Sequence, residues 1–232
     1  MPVRRDISVV IPLFNGGTYI EEALTSIADQ SVRVGEIIVV DDGSTDNGAS
    51  LAESHFARPR VVRQANRGPA AARNAGIRLA QNPYLAFLDQ DDLWRPNKTA
   101  LQCAAFDADP DLVVCFGRVD CFWDDPDCEE ARHFDGHQRT TAVEGYVTTT
   151  MLARASIFET VGPFDEALLF ADSIQWCAKV NDLGVKARLL DEVVLDRRMH
   201  ANNLTRRRQE SASEILRVLQ MRRQTAQTGV RN

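Results

Sequence analysis

Two β-branched apolar runs, each ended by residues that cannot continue a strand, constrain this chain most. Ile7-Ser8-Val9-Val10-Ile11 stops at Pro12, and Glu36-Ile37-Ile38-Val39-Val40 stops at Asp41-Asp42-Gly43. Between them, Tyr19 to Gln30 carries Ile20, Ala23, Leu24 and Ile27 at helical spacing. Strand, helix, strand with unbroken apolar runs predicts parallel strands covered on both faces.

The alternation continues with a helix near Ser50 to His55, a strand at Arg60 to Arg63, a helix from Pro69 to Ala80 and a strand at Tyr84 to Leu88. The fold class is therefore α/β, with a mostly parallel central sheet flanked by helices. Lys98 to Asp107 then reads as a helix and Leu112 to Gly117 as a strand. Trp123 to Thr141 is polar and aperiodic, the pattern of a long functional or mobile loop. Further on, the sequence predicts a strand at Tyr146 to Met151, a helix at Arg154 to Val161, and a break at Gly162-Pro163. A helix from Asp172 to Leu183 and a strand pair, Val185 to Leu190 and Val193 to Arg197, complete the body.

The last segment follows a different rule. From Ser211 to Gln224, Ala212, Ile215, Leu216 and Leu219 form an apolar stripe with Arg217, Arg222 and Arg223 around it. This C-terminal helical tail is expected to dock on the body or on a second copy as a homodimer, with peripheral membrane contact as the alternative. Arg206-Arg207-Arg208 makes its approach basic, yet the formal net charge of −6 argues against nucleic acid as a partner. The run Ile7 to Leu13 is too short for a signal sequence or a membrane span, so a cytoplasmic protein is expected. Five cysteines without a C-x-x-C pair indicate reduced thiols.

Ligands of open parallel sheets bind beyond the carboxyl ends of the strands. Those ends hold Pro12 to Asn15, Asp41-Asp42-Gly43-Ser44, Gln64 to Gly68, and Asp89-Gln90-Asp91-Asp92. Three carboxylates within four residues repel unless a cation or hydrogen-bond donors meet them. Asp89-x-Asp91 is thus a candidate for Mn2+ or Mg2+, with a solvated acidic turn as the alternative. Asp41 could accept hydrogen bonds from a base or ribose, and Phe14 could supply an aromatic wall; alone, each would be turn and core. Arg67 and Arg73 could hold phosphates or lie on a helix surface. Neither G-x-G-x-x-G nor a P-loop occurs, which removes the main support for dinucleotide oxidoreductases and P-loop NTPases.

Four ordered segments carry a family resemblance: Ser8 to Asn15, Glu36 to Asp46, Asn66-Arg67-Gly68-Pro69-Ala70-Ala71-Ala72-Arg73-Asn74-Ala75-Gly76, and Phe87 to Asp92. Together they resemble the family 2 glycosyltransferases of GT-A fold. Val161-Gly162-Pro163-Phe164-Asp165-Glu166 resembles that family's Gly-x-Phe-Asp-Glu turn, and Arg198-Met199-His200-Ala201-Asn202-Asn203 its His-x-Asn-Asn segment. The resemblance implies inverting transfer of a sugar from a nucleotide-diphospho-sugar, UDP- or dTDP-linked, to an unknown acceptor: saccharide, lipid-linked, small-molecule or peptide. It implies that Pro12, Phe14 and Asp41 hold the nucleoside and that Asp89 and Asp91 hold the metal and diphosphate; Asn15, Arg67 and Arg73 stand beside them as candidate nucleotide-sugar contacts. Asp91 would hold the metal with help from His200, and Asp172 would take the acceptor proton. Phe14 replaces the more frequent Tyr, and Ala171 stands where a Glu is usual.

The implied organisation is a glycosyltransferase domain over 1–205, with a donor half at 1–117 and an acceptor half at 118–205, followed by the tail at 206–232. Ala171 keeps open the alternative of a nucleotide-sugar-binding protein that no longer transfers. A nucleotidyltransferase would carry a cationic Gly-rich loop after the first strand, whereas this chain has Phe14-Asn15-Gly16-Gly17. His133 and His137 could share a helix face, although loop histidines are the simpler reading. Trp123, Phe134 and Trp176 could form an acceptor platform, with core packing the better expectation for Trp176.

Overall fold

The computed structural model describes residues 5–125, 128–129, 131, 143–144, 146–201, 203–204, 212–218 and 220. His133, Phe134 and His137 lie outside them, as do Arg206-Arg207-Arg208 and both Arg222 and Arg223.

The first half is built from β1 (Ile7–Leu13), α1 (Ile20–Ala28), β2 (Glu36–Asp41), α2 (Gly48–Ser54), β3 (Arg60–Arg63), α3 (Pro69–Leu79) and β4 (Tyr84–Phe87). Their strands pair in parallel, with β1 between β2 and β4 and β3 beyond β2. Every second residue of β1 faces a different layer. Val9, Ile11 and Leu13 meet Ile20, Leu24 and Ile27 of α1, whereas Val10 joins Leu85, Phe87 and Ala70 on the opposite face. Each such side chain contributes roughly 1.5–3 kcal/mol of burial, which is why the strand is apolar apart from Ser8, whose hydroxyl donates to Glu36 Oε1.

Helix α3 approaches the sheet very closely. A Cβ at Gly76 would lie 2.2 Å from Val10 Cγ1, and Ala70, Ala71 and Ala72 are all buried. Small residues here bring Arg73 and Asn74 down to the strand tips.

The second half comprises β5 (Leu93–Trp94), α4 (Lys98–Ala108), β6 (Val114–Trp123), β7 (Val143–Glu144), β8 (Leu152–Arg154), α5 (Ile157–Val161), α6 (Asp172–Asp182) and β9 (Ala187–Met199). The sheet order is β3-β2-β1-β4-β8-β6-β9-β5, with β7 on β6. β8 runs antiparallel between β4 and β6, while β6 and β9 pair in parallel. Residue 117, the expected boundary between the two halves, falls inside β6. A second aromatic core holds Phe87, Phe158, Phe164 and Trp176; Trp176 stacks on Phe158 at 4.8 Å and donates Nε1–H to the Gly162 carbonyl.

Three expectations change. The segment Tyr146 to Met151 contains a 3-10 turn at Thr148–Thr150, and the strand begins only at Leu152. β-Branched threonines suggest a strand, but Thr150 Oγ1 donates to the Val147 carbonyl and the Thr148 and Ser173 hydroxyls bond each other, so the side chains stabilise a turn. The helix expected from Arg154 starts at Ile157, because Arg154 still pairs with Tyr84. The expected strand pair near the end is one strand, Ala187–Met199.

Lys98 is fully enclosed beneath this half. Its Nζ donates to Gln102 Oε1 and to the Met151 carbonyl and lies 4.4 Å from the Trp94 ring centre. Burial lowers its pKa to about 7. No helix among the described residues is long and apolar enough to cross a membrane.

Candidate functional site

Parallel register sets the floor of the site. Leu13 at the end of β1 lies opposite Asp41 at the end of β2, and Asp41 lies opposite Arg63. Asp41 Oδ1 accepts the Ser44 N–H at 2.9 Å, an Asx-type turn that folds the β2 loop back on its own strand. Asp42 is buried and accepts three donors: Gln64 Nε2 at 2.8 Å, the Arg67 N–H at 2.9 Å and the Gly68 N–H at 2.7 Å. Gly68 has φ +89°, a conformation that costs glycine nothing, and Pro69 then starts α3. Asp42 therefore anchors the loop that delivers α3.

The β1 loop is tied on both sides. Phe14 donates its N–H to Gln90 Oε1 at 2.7 Å, and Gln90 Nε2 donates back to the Phe14 carbonyl at 3.1 Å. Phe14 is 46% exposed, so its side chain is not part of the core. Pro12 is half-buried beside it. Asn15 adopts φ 49° and uses Oδ1 to accept the Thr45 N–H, which makes it a brace between the β1 and β2 loops.

Arg73 joins two distant carboxylates. Its Nη2 donates to Asp89 Oδ1 at 2.6 Å and its Nη1 to Asp172 Oδ2 at 2.7 Å. The Arg73 and Asp172 side chains are 7% and 5% exposed, and Asp89 is 36% exposed. Burial raises the Asp172 pKa, and the Arg73 charge opposes that rise. Arg67 stands apart at the rim, 59% exposed and paired with Glu166. Spacing left both arginines equivalent, but only Arg73 reaches Asp172.

Asp91 turns to the other side of the β4 loop. Its Oδ2 lies 2.9 Å from His200 Nε2 and 3.2 Å from Asn203 Nδ2. Asp92 lies beneath, enclosed, and accepts the Arg198 N–H at 3.0 Å. Burial first, then Asp91 and Asp89, push the Asp92 pKa well up, as expected where carboxylates crowd. Arg198 sits within cation–π range of both Tyr19 and Phe122 and pairs with Glu22 and Asp124. Among the described residues, no group of three or more His, Cys, Asp or Glu side chains is assembled to hold a metal.

Several residues within the quoted motifs gained a role only from contacts with distant segments. Asn74 clamps the Phe164 peptide from both ends, accepting its N–H at 3.0 Å and donating to its carbonyl at 2.9 Å. That clamp ties the Gly162 to Glu166 turn, which leads into α6, to the middle of α3. Gln90 and Asp42 likewise bond partners from other loops, which local periodicity cannot reveal.

The parallel β3-β2-β1-β4 sheet, with its acidic tips and the antiparallel β8 insertion, is a GT-A type glycosyltransferase fold. The solved mannosyltransferase PcManGT from Pyrobaculum calidifontis, in complex with GDP-Man and Mn2+, superposes with a TM-score of 0.69 at 22% identity, covering 97% of this chain and 66% of that one. TarS 1-349 from S. aureus, in complex with UDP-GlcNAc, gives 0.64 at 21% identity, covering 85% and 60%.

The chain belongs to glycosyl transferase family 2, whose sequence model matches residues 8–162. It is 37% identical over 113 residues to the uncharacterized glycosyltransferase YibD of Escherichia coli K12, a match covering 47% of this chain and 33% of that protein. It is 39% identical over 113 residues to glycosyltransferase GlyG of Streptococcus pneumoniae serotype 4, covering 47% and 38%. The matches thus span little more than a third of these relatives.

Proposed function

We propose that the chain transfers a sugar from a UDP- or dTDP-linked donor to an acceptor hydroxyl, with inversion and with a divalent metal, Mn2+ or Mg2+, assisting. The observation that supports this most is the shared guanidinium of Arg73, which brings the donor-side Asp89 and the acceptor-side Asp172 to one point. Pro12, Phe14, Asn15 and Asp41 would border the nucleoside, and Arg67, Arg73 and Asp89 the diphosphate.

Asp91 and His200 fit a metal of this kind, since they pair an oxygen with a nitrogen donor, and Mg2+ or Mn2+ is held by few protein atoms plus phosphate oxygens. A cation there would neutralise charge gathering on the leaving diphosphate. Asp172 takes the proton of the attacking hydroxyl; its enclosed setting raises its basicity, and Arg73 orients it. The complexes of TarS with UDP-GlcNAc and of PcManGT with GDP-Man support a nucleotide-sugar donor. A net charge of −6 argues against nucleic acid as the acceptor, and a saccharide, lipid-linked, small-molecule or peptide acceptor stays open.

A second reading, donor binding without transfer, draws on the ion pair that engages Asp172 and on Ala171. A thermal-shift screen of nucleotide-sugars with and without Mn2+, followed by assay of nucleotide release, separates the readings. Transfer predicts metal-dependent stabilisation and release, pure binding predicts stabilisation alone, and neither effect with any donor would refute both.

A further inference from the structure

The segment that leads into α6 is held from outside the body by the C-terminal helical residues 212–218. Glu214 Oε1 accepts the Leu169 N–H at 2.9 Å, and its Oε2 accepts the N–H groups of Phe170 at 2.6 Å and Ala171 at 2.7 Å. Three consecutive amides converging on one carboxylate are charge-assisted bonds, the stronger kind. Beside them Val218 packs on Leu168 and Ala171, with Ile215 against the same cluster. Ala171 has no exposed surface, so a longer side chain at that position would lift the helix away.

Asp172 is the next residue. Ala171 is the N-cap of α6 and offers no side-chain cap, so the helix start depends on contacts made by its neighbours. Glu214 supplies them for the three preceding amides. A displacement of this backbone by about 1 Å would break the 2.7 Å bond between Asp172 and Arg73, and misplacement on that scale is enough to slow a catalytic step.

We propose that Glu214 is a positioning residue for the transfer reaction: by gripping residues 169–171, it fixes the carboxylate of Asp172 in the cleft. The inference rests on Asp172 acting as the base. The tail is thereby a working part of the site, beyond its expected role of docking on the body or on a second copy.

Glu214→Gln keeps the side-chain volume but replaces one acceptor oxygen with a donor. UDP-GlcNAc with Mn2+ is the probe, a UDP-linked donor of the kind proposed above, with nucleotide release to water as the readout. The expected result is a fall in turnover number of about tenfold, the rate equivalent of one charge-assisted hydrogen bond. Donor affinity by calorimetry should be unchanged, and amide exchange at residues 169–171 should be faster.

In an Asp172→Asn background, Glu214→Gln should change the residual rate no further, whereas a merely structural role would lower both backgrounds alike. Unchanged turnover, unchanged amide exchange, or an equal fall in both backgrounds would overturn the inference. Should Glu214→Gln fail to fold, Glu214→Asp, one methylene shorter, carries the same comparisons with a smaller expected fall. Full turnover in Asp172→Asn sinks the base assignment and this inference with it. An inactive Asp172→Asn beside a fully active Glu214→Gln sinks this inference alone.

Discussion

Asp172 and Arg73 form an ion pair at 2.7 Å, with neither side chain more than 7% exposed. Arg73 belongs to α3 and Asp172 to the first turn of α6, so this contact joins segments on either side of the boundary expected at residue 117. Removing either partner leaves a charge in a poorly solvated place, which makes the pair sensitive to substitution in both directions.

Asp172→Asn is expected to lower the turnover number by roughly 10²–10⁴-fold, the range for losing a general base, with donor affinity retained. Steady-state rates combined with calorimetry check both halves of the expectation.

Replacing Arg73 by Gln should move the acidic limb of the pH–rate profile upward. Burial raises the Asp172 pKa and Arg73 lowers it; without the guanidinium, burial and the Asp89 charge are opposed only by the Ser173 backbone bond, so the carboxylate takes up its proton at higher pH. A limb that stays in place, or moves down, would contradict the pairing.

For the metal, Asp91→Ala is expected to abolish the Mn2+-dependent part of donor binding, and His200→Ala to weaken it. Titration calorimetry with and without Mn2+ measures the difference, and unchanged affinity in Asp91→Ala would refute the assignment.

Asp42→Asn tests the scaffold. Asp42 accepts from two backbone amides and one side-chain amide, and a carboxamide presents an N–H to at least one of them. A loss of about 1.5–3 kcal/mol in denaturant melts is expected.

Lys98 gives the chain a pH-dependent stability. Its folded pKa of about 7 lies below the unfolded value of 10.5, so between these pH values the unfolded chain binds more protons and stability rises with pH. From pH 7 to 9 the gain should be roughly 2 kcal/mol, and Lys98→Met should abolish it. Chemical melts at the two pH values provide the comparison.

The first half of the sheet could be read from sequence because β1, β2 and β4 are buried on both faces and therefore mostly apolar, with Ser8 the one polar residue inside the runs. The two short strands expected near the end are one because exposed Asp191 and Glu192 look like a turn, while β6 pairs with Leu189 before them and Val193 after them, so the strand continues across a register shift. Threonine misled at 148–150 because its preference for strands yields to side-chain bonds within a turn. In the site, strand ends and the Asp-x-Asp spacing were legible because they are local. Which arginine meets Asp172, what Asn74 clamps and where Glu214 lands depend on contacts between distant segments, and periodicity carries no information about those.

Gln90 bonds the Phe14 peptide at both its N–H and its carbonyl. The ring consequently projects from a backbone that has already lost its torsional freedom. A flat ligand stacking there would find its platform in place before arrival, so the entropy of association would fall on the ligand and on the ring's own rotamer, leaving the loop beneath unaffected.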